Sequence, residues 1–148
     1  MKLIIQIPCY NEAETLTIAL DALPRHIDGI DEIEYLIIND GSDDATEAIA
    51  RAWGVQHVVH FKRNLGLAKG FLAGLDLALR NGADIIVNTD ADNQYCGADI
   101  EKLVKPIIEK KADIVIGERP IDEIKEFSWI KKKLQRLGSW FVRTASRT

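Results

Sequence analysis

Short runs of apolar residues alternate along this chain with longer segments in which apolar residues recur every three or four positions. The short runs predict buried strands, and the periodic segments predict helices that bury one face. The predicted strands cover residues 3–7, 35–38, 56–60, 84–87 and 114–116. The predicted helices cover residues 11–23, 44–53, 67–80 and 98–111. This alternation predicts an α/β fold, a mostly parallel sheet with right-handed crossovers and helices on both faces.

Local signals predict where several of these elements begin and end. Pro8 is expected to stop the pairing of the first strand, because proline cannot donate to a ladder. Asn11 is expected to cap the first helix, and Asp44 is expected to open a capping box with Glu47. Gly54 is expected to end that second helix. The third helix is expected to bury Phe71, Leu72, Leu75, Ala78 and Leu79.

Composition indicates one domain with an ordinary hydrophobic core, since 47% of the 148 residues are apolar. No segment reaches the ~18 consecutive apolar residues of a membrane span. Residues 1–8 are a strand candidate and are too short for a signal peptide. Cys9 and Cys96 form neither a disulfide framework nor a Cys/His metal motif, so a reduced, cytoplasmic setting is expected.

Charge is divided unevenly along the chain. Residues 125–148 contain seven Lys or Arg and one acid, a balance of +6, so the first 124 residues carry −10 within the net charge of −4. The acidic body disfavours a nucleic-acid-binding surface over the whole protein. The tail repeats apolar residues at spacings of 3, 4, 3 and 4, as an amphipathic helix does. It is expected either to bind an anionic membrane surface or to pack on the body or on a second copy of the chain.

The strongest chemical signal is the segment Asp90-Ala91-Asp92-Asn93-Gln94, which follows the predicted strand 84–87. The carboxyl ends of strands are where open α/β sheets bind ligands. Two carboxylates and an amide oxygen suit a hard cation such as Mg²⁺ or Mn²⁺, and Mg²⁺ commonly holds nucleotide phosphates. Polar turn residues before a helix would also account for the segment, so its weight depends on the rest of the chain.

Polar motifs follow other predicted strands as well. Pro8-Cys9-Tyr10-Asn11-Glu12 leads into a helix start, where N–H groups can face an anion. Asp40, in Asn39-Asp40-Gly41-Ser42, can accept hydrogen bonds from a base or a ribose hydroxyl. Asn64-Leu65-Gly66 enters the third helix without the G-K-[ST] ending of a phosphate-binding loop, and the absence of G-x-G-x-x-G disfavours a dinucleotide oxidoreductase.

Read together, these segments resemble glycosyltransferase family 2, the inverting nucleotide-sugar enzymes with the GT-A fold, and within it the polyprenyl-phosphate group. The matching segments occur in the family's order over about the first 120 residues. They are Pro8-Cys9-Tyr10-Asn11-Glu12, Asn39-Asp40-Gly41-Ser42, Asn64-Leu65-Gly66 with Ala68, Asp90-Ala91-Asp92-Asn93-Gln94, and Gly117-Glu118-Arg119. Asn39 and Glu118 depart from the family's usual Asp and Ser, and Glu118 alters the charge around Arg119.

The resemblance implies a transferase that moves a sugar, with inversion, from a GDP- or UDP-sugar to an acceptor, for which a polyprenyl phosphate is the candidate. It implies a divalent metal, Mg²⁺ or Mn²⁺, beside the diphosphate. No residue is identified as the catalytic base. The implied donor-binding residues are Pro8, Tyr10, Glu12, Asp40 and Arg119, and the implied metal-binding residues are Asp90, Asp92 and Gln94.

The resemblance also implies an organisation of the chain. Residues 1–120 are expected to form the nucleotide-sugar-binding domain, and residues 121–148 a basic helical tail that begins an acceptor region. A lipid-linked acceptor would place the protein at the inner face of the membrane as a peripheral protein. The alternative is a nucleotide-binding or assembly module without turnover, because most of the family's acceptor half is missing.

Overall fold

The computed structural model describes residues 1–92 and 96–117, and Met1–Val115 form one compact unit. Its strands are β1 (Lys2–Cys9), β2 (Glu32–Asn39), β3 (His57–His60) and β4 (Ile85–Asn88). Its helices are α1 (Leu16–Asp21), α2 (Thr46–Trp53), α3 (Leu67–Arg80) and α4 (Asp99–Ile108). Strands and helices alternate from β1 to α4, as the hydrophobic pattern predicts.

The four strands form one parallel sheet in the order β3-β2-β1-β4. The chain builds outward from β1 to β2 and β3, and then crosses back to place β4 on the other side of β1. This reversal opens a crevice at the carboxyl ends of β1 and β4, where doubly wound sheets bind their ligands. The predicted α/β fold with a parallel sheet is confirmed.

Helices cover both faces of the sheet. One core cluster joins Leu3, Ile5 and Ile7 of β1 to residues of α1, α2 and α4. The other cluster lies under α3 and includes Ile4, Leu36, Ile38 and Ala78. Alternate residues of β1 therefore face opposite layers, as the two-residue repeat of a strand requires.

Helix α3 has the predicted bounds but turns a different face to the sheet. Its buried residues are Gly70, Gly74 and Ala78, whereas Leu72 and Leu79 are 64% and 65% exposed. A Cβ at Gly74 would lie 2.9 Å from Ile38 Cδ1, so the helix packs too closely for a side chain there. Ala78 is buried as predicted, but the prediction is wrong for Phe71, Leu72 and Leu79, because close backbone packing outweighs apolar periodicity at this contact.

Two boundary predictions around β1 are also wrong. Pro8 does not end the strand, which pairs with β2 as far as Cys9 and Asn39. The missing N–H of Pro8 points to the β4 side, where pairing has already ended at Gln6 and Asn88. Asn11 does not cap a helix, because it adopts a left-handed φ of 56° and α1 begins only at Leu16.

The second helix partly follows its predicted boundary signals. Gly54 is the C-cap in the left-handed conformation, as expected. Asp44 accepts a hydrogen bond from the Thr46 N–H at 2.9 Å, but Glu47 does not complete a capping box. The Glu47 carboxylate instead accepts hydrogen bonds from Arg51 and Asn39.

The predicted strand over residues 114–116 does not form. These residues have no strand assignment, and Ile114 and Ile116 are 80% and 86% exposed. A strand needs a neighbour for its N–H and C=O groups, and the described sheet ends at β4. The predictions for Gln94, Arg119 and the tail lie outside the described residues. Within residues 1–92 and 96–117, no helix is long and apolar enough to cross a membrane.

Candidate functional site

An open cleft of about 340 Å³ lies at the carboxyl ends of the strands, where the strand order reverses. It receives residues from all four strand ends, because parallel strands place these ends along one edge of the sheet. Its lining residues are Pro8, Cys9, Tyr10 and Glu12 from the β1 end, Asp40 from the β2 end, Asn64, Gly66, Leu67 and Gly70 from the β3 end and α3, and Asp90, Ala91 and Asp92 from the β4 end.

Asp40 organises the side of the cleft next to α3. This carboxylate is buried, and its two oxygens accept hydrogen bonds from the N–H groups of Leu65 at 2.7 Å and Gly66 at 2.9 Å. Gly66 is the residue before α3 and has a φ of 89°. Asp40 therefore fixes the loop that carries Asn64 and Gly66 into the cleft, and it holds the first turn of α3 beside it.

Gly41 allows this loop to approach so closely. Its φ is +75°, and a Cβ added there would lie 2.4 Å from the carbonyl carbon of Arg63. A glycine is needed for both reasons, since the left-handed conformation and the backbone contact each exclude a side chain. Asp40 and Gly41, which follow β2, thus allow the loop after β3 to pack closely against the end of β2.

The loops after β1 and β2 are joined by hydrogen bonds from main-chain N–H groups to short side chains. The N–H of Asn11 donates to Ser42 Oγ at 3.0 Å, and the N–H of Glu12 donates to Thr46 Oγ1 at 2.9 Å. The N–H of Ala13 donates to Asp44 Oδ2, and the N–H of Asp43 donates to Asn11 Oδ1. These four contacts set the position of Tyr10 and Glu12 at the rim.

Asp44 is the acceptor at the centre of this junction. Hydrogen bonds from the Thr46 hydroxyl, and further ones from main-chain N–H groups, hold the pKa of the Asp44 carboxyl below its usual value. The carboxylate is therefore charged at neutral pH and stabilises the loop contact in that form.

Asn39 occupies the position where family members often have Asp. It is buried, its Oδ1 accepts a hydrogen bond from the Ser42 N–H, and its Nδ2 donates to Glu47 Oε2 at 3.1 Å. Glu47 also contacts His60 Nδ1 at 2.6 Å. An aspartate at position 39 would face the Glu47 carboxylate, so the amide suits this particular neighbour.

Asp90 and Asp92 follow β4 and both line the cleft. The strand leads into them through Thr89, whose N–H donates to the Gln6 carbonyl at 3.1 Å. Among the described residues, no group of three or more His, Cys, Asp or Glu side chains could hold a metal ion. The two carboxylates still fit a divalent cation, because Mg²⁺ is usually held by one or two carboxylates plus water and substrate phosphates.

Three residues from the β1 end differ in what they offer to a ligand. Tyr10 is 47% exposed, and its aromatic ring can present a flat surface to a ligand. The Glu12 carboxylate accepts a hydrogen bond from the Thr15 hydroxyl at 2.7 Å. Cys9 is buried, and burial raises the pKa of its thiol to about 12, so it is a neutral wall of the cleft and not a nucleophile.

The described lining of the cleft is strongly acidic. It contains four carboxylates, Glu12, Asp40, Asp90 and Asp92, and none of its described residues is Lys or Arg. An anionic ligand would therefore need a cation beside it in this part of the site.

The structure brings together six of the site residues that the sequence predicts: Pro8, Tyr10, Glu12, Asp40, Asp90 and Asp92. Their individual roles remain predictions. Sequence reasoning assigned no role to Asn64, Gly66, Leu67 and Gly70, which also line the cleft. One feature of the sequence could have indicated them: the segment with Gly66 follows the third strand, and the carboxyl ends of parallel strands lie at the same edge of the sheet.

Comparison with known sequences identifies the family. The profile of glycosyl transferase family 2 matches residues 4–147. The polyprenol monophosphomannose synthase of Mycolicibacterium smegmatis is 28% identical, with 96% of this chain and 55% of that protein covered. The undecaprenyl-phosphate mannosyltransferase of Micrococcus luteus is 30% identical, with coverage of 97% and 59%. The chain thus spans somewhat more than half the length of these relatives.

Solved structures show the same fold. The glucosyl-3-phosphoglycerate synthase of Mycobacterium tuberculosis, crystallised with Mn²⁺, UDP and glucosyl-3-phosphoglycerate, superposes with a TM-score of 0.60 at 24% identity, over 72% of this chain and 39% of that one. TarS of S. aureus in complex with UDP-GlcNAc gives 0.59 at 21% identity, over 74% and 32%. The expected GT-A fold is confirmed by these neighbours. With a family profile matching nearly its whole length, the chain belongs to glycosyltransferase family 2.

Proposed function

We propose that this chain binds a nucleotide sugar in the acidic cleft and contributes the donor half of a glycosyltransferase. The observation that carries the proposal is the convergence of carboxylates from three strand ends on one cleft at the switch point of the sheet. A nucleoside diphosphate sugar has an uncharged nucleoside and sugar joined by an anionic diphosphate. It matches a site with polar acceptors on one side and a carboxylate pair for a cation on the other.

Asp90 and Asp92 would hold Mg²⁺ or Mn²⁺, and the resemblance adds Gln94 as a further ligand. When bound, the cation neutralises the charge that develops on the departing diphosphate. The Mn²⁺ and UDP in the structure of the M. tuberculosis relative support a divalent ion here. The acidity of the described cleft supports it independently, because a diphosphate would otherwise face four carboxylates.

Pro8, Tyr10, Glu12 and Asp40 would bind the nucleoside. The exposed Tyr10 ring offers a stacking surface, and the carboxylates of Glu12 and Asp40 offer acceptors for base N–H and ribose hydroxyl groups. Asp40 already accepts two main-chain hydrogen bonds, and a carboxylate has about four acceptor sites, so a ligand contact is compatible with its role in the loop. Arg119 would lie near the phosphates.

The reaction that this arrangement serves is transfer with inversion. An acceptor oxygen forms a bond to the anomeric carbon from the face opposite the diphosphate, the bond to the diphosphate oxygen breaks, and the nucleoside diphosphate leaves with the electron pair. The names of the two bacterial relatives support a polyprenyl phosphate as the acceptor. A lipid acceptor and the basic tail together favour a peripheral position at the cytoplasmic face of a membrane.

A second candidate is a nucleotide-binding module without turnover. The two candidates differ in whether UDP or GDP is released from the corresponding sugar nucleotides when a polyprenyl phosphate is present. Both candidates require metal-dependent binding of the nucleotide.

Calorimetric titration of UDP and GDP, with Mn²⁺ and then with EDTA, tests the shared claim. We expect binding with Mn²⁺ that falls sharply with EDTA. Asp92→Asn should weaken only the Mn²⁺-dependent binding, by about 1–3 kcal/mol, the usual cost of losing one charged contact. Asp28→Asn, which removes the same charge from a surface position 97% exposed at its side chain, is the control and should bind normally. Equal affinity with Mn²⁺ and EDTA would rule out the metal.

A further inference from the structure

Gln6 is a polar side chain in the middle of the hydrophobic layer under α3. It is fully buried, and it lies on β1 between Ile4 and Pro8 on the face that packs against this helix. Its register neighbours are Leu36 on β2 and Asn88 on β4. An apolar residue would be expected at such a central position.

The Gln6 amide is only half satisfied. Its Nε2 donates to Asn88 Oδ1 at 3.2 Å, whereas its Oε1 is the one buried side-chain polar atom of the described residues that has no hydrogen-bond partner. A buried acceptor without a partner is destabilising, and such groups in native proteins call for an explanation.

Helix α3 makes room for this amide. A Cβ at Gly74 would lie 2.2 Å from Gln6 Oε1 and 3.1 Å from Gln6 Cδ, so any other residue there would displace the side chain. The sequence thus keeps a glycine in α3 that leaves room for the Gln6 amide of β1, although this half-satisfied amide does not stabilise the core. The contact that the amide does make is directed at the end of β4.

That contact lies immediately before the carboxylate pair. Asn88 is the last residue of β4, and the N–H of the next residue, Thr89, donates to the Gln6 carbonyl at 3.1 Å. Asp90 follows directly. Gln6 therefore holds both residues that lead into the Asp90–Asp92 segment, one through its side chain and one through its main chain.

We propose that Gln6 is a positioning residue that fixes how β4 delivers Asp90 and Asp92 to the cleft. Its side chain fixes Asn88, and its carbonyl fixes Thr89, so the loop leaves the strand in one direction. The role in metal and nucleotide binding rests on the proposed function, whereas the restraint on the loop does not. Substituting a residue that orients ligands without touching the metal typically costs about 10–100-fold in metal affinity.

Gln6→Met tests the proposal, because methionine has a similar length and removes both the Asn88 contact and the unpaired oxygen. Three measurements are made: thermal unfolding, hydrogen exchange of the Thr89 and Asp90 amides without ligand, and calorimetry of UDP and GDP with Mn²⁺. We expect an unchanged or higher melting temperature, faster exchange of these two amides, and about tenfold weaker Mn²⁺-dependent binding.

Gln56→Met is the matched control. Gln56 Oε1 accepts a hydrogen bond from the Tyr35 N–H at 2.9 Å, just before the start of β3 at the opposite end of the strands from the cleft. Gln56→Met should lower the melting temperature of the protein. It should leave the exchange of the Thr89 amide and the Mn²⁺-dependent binding as they are in the wild type. Stability and ligand binding should therefore respond in opposite ways in the two variants.

A second variant guards against a folding defect in Gln6→Met. Asn88→Ala removes the same hydrogen bond from the exposed partner, and it should reproduce the faster exchange and the weaker binding. The double variant should be no worse in either measurement than the more affected single variant, because both substitutions remove one contact. Additive losses would overturn the proposal.

The outcomes separate this proposal from the proposed function. Unchanged exchange at Thr89 and Asp90 in both single variants would overturn the positioning role, whatever the nucleotide does. Wild-type protein that fails to bind UDP and GDP with Mn²⁺ would overturn the proposed function, and the exchange result would still decide whether Gln6 restrains the loop. Weaker binding in Gln56→Met equal to that in Gln6→Met would show a general effect on folding.

Discussion

Asp40→Asn should both destabilise the protein and weaken nucleotide binding. In the wild type the two carboxylate oxygens of Asp40 accept hydrogen bonds from the Leu65 and Gly66 N–H groups. Asparagine keeps one oxygen and places an NH₂ group against the other N–H, so a donor faces a donor. Because Asp40 is buried, water cannot easily replace the lost acceptor.

The expected loss follows from the type of contact. A hydrogen bond to a charged group contributes about 1.5–3 kcal/mol. We therefore expect the free energy of unfolding to fall by about 2 kcal/mol for one such bond. For a domain of this size, each kcal/mol shifts the melting temperature by about 4 °C, so the midpoint should drop by roughly 8 °C. The loop with Asn64 and Gly66 should also lose its fixed position in the cleft.

Differential scanning calorimetry and nucleotide titration would measure these two effects. Affinity for UDP or GDP should fall both with Mn²⁺ and with EDTA, because the proposed contact of Asp40 with the nucleoside does not involve the cation. Asp43→Asn is the control, since the Asp43 carboxylate is exposed and makes no hydrogen bond within the described part of the chain. A midpoint for Asp40→Asn within about 2 °C of the wild type, which corresponds to about 0.5 kcal/mol, would refute the reasoning.

Two further predictions concern the rest of this edge of the sheet. A hydrogen bond from the Thr46 hydroxyl lowers the pKa of Asp44, and one from Arg51 lowers the pKa of Glu47. Both carboxylates therefore stabilise the fold above pH ~4, and this stabilisation is lost as the pH falls further. Urea unfolding from pH 6 to pH 3 should show the loss, and Glu47→Gln should reduce it; an identical acid profile in that variant would contradict the assignment. Gly41→Ala should unfold at a clearly lower temperature than Gly82→Ala. Both glycines have a φ of +75°, but only a Cβ at Gly41 would lie 2.4 Å from a backbone atom, the carbonyl carbon of Arg63. Equal unfolding midpoints would contradict this close approach.

The hydrophobic pattern predicts the architecture because the four strands and four helices that form are each recognisable from their own segment. The apolar segment before Asp90 had to be a strand, and a parallel strand had to present Asp90 and Asp92 at the same edge as Asp40. The grouping of these residues follows from topology alone. Their hydrogen bonds do not, because the acceptors of the Leu65 and Gly66 N–H groups lie about 25 residues away in the chain.

The errors at α3 and at Asn11 have a shared physical cause. For α3, periodicity marks Leu72 and Leu79 as buried, yet the helix packs through Gly70 and Gly74 because the sheet is close to its axis. For Asn11, propensity indicates a helix cap, yet its side chain accepts a hydrogen bond from the neighbouring loop. In each case a tertiary contact outweighs a local preference, and a single sequence does not contain that information.

The hydrogen bonds between the loops after β1 and β2 also determine when their conformational entropy is lost. Fixing the backbone of one residue costs about 1–2 kcal/mol at 25 °C. The N–H groups of Asn11, Glu12 and Ala13 already donate to side chains that follow β2. The backbone entropy of this loop is therefore lost when the chain folds. In the proposed function, nucleotide binding would then need no ordering of this part of the rim, and its free energy would remain available to orient the sugar for transfer.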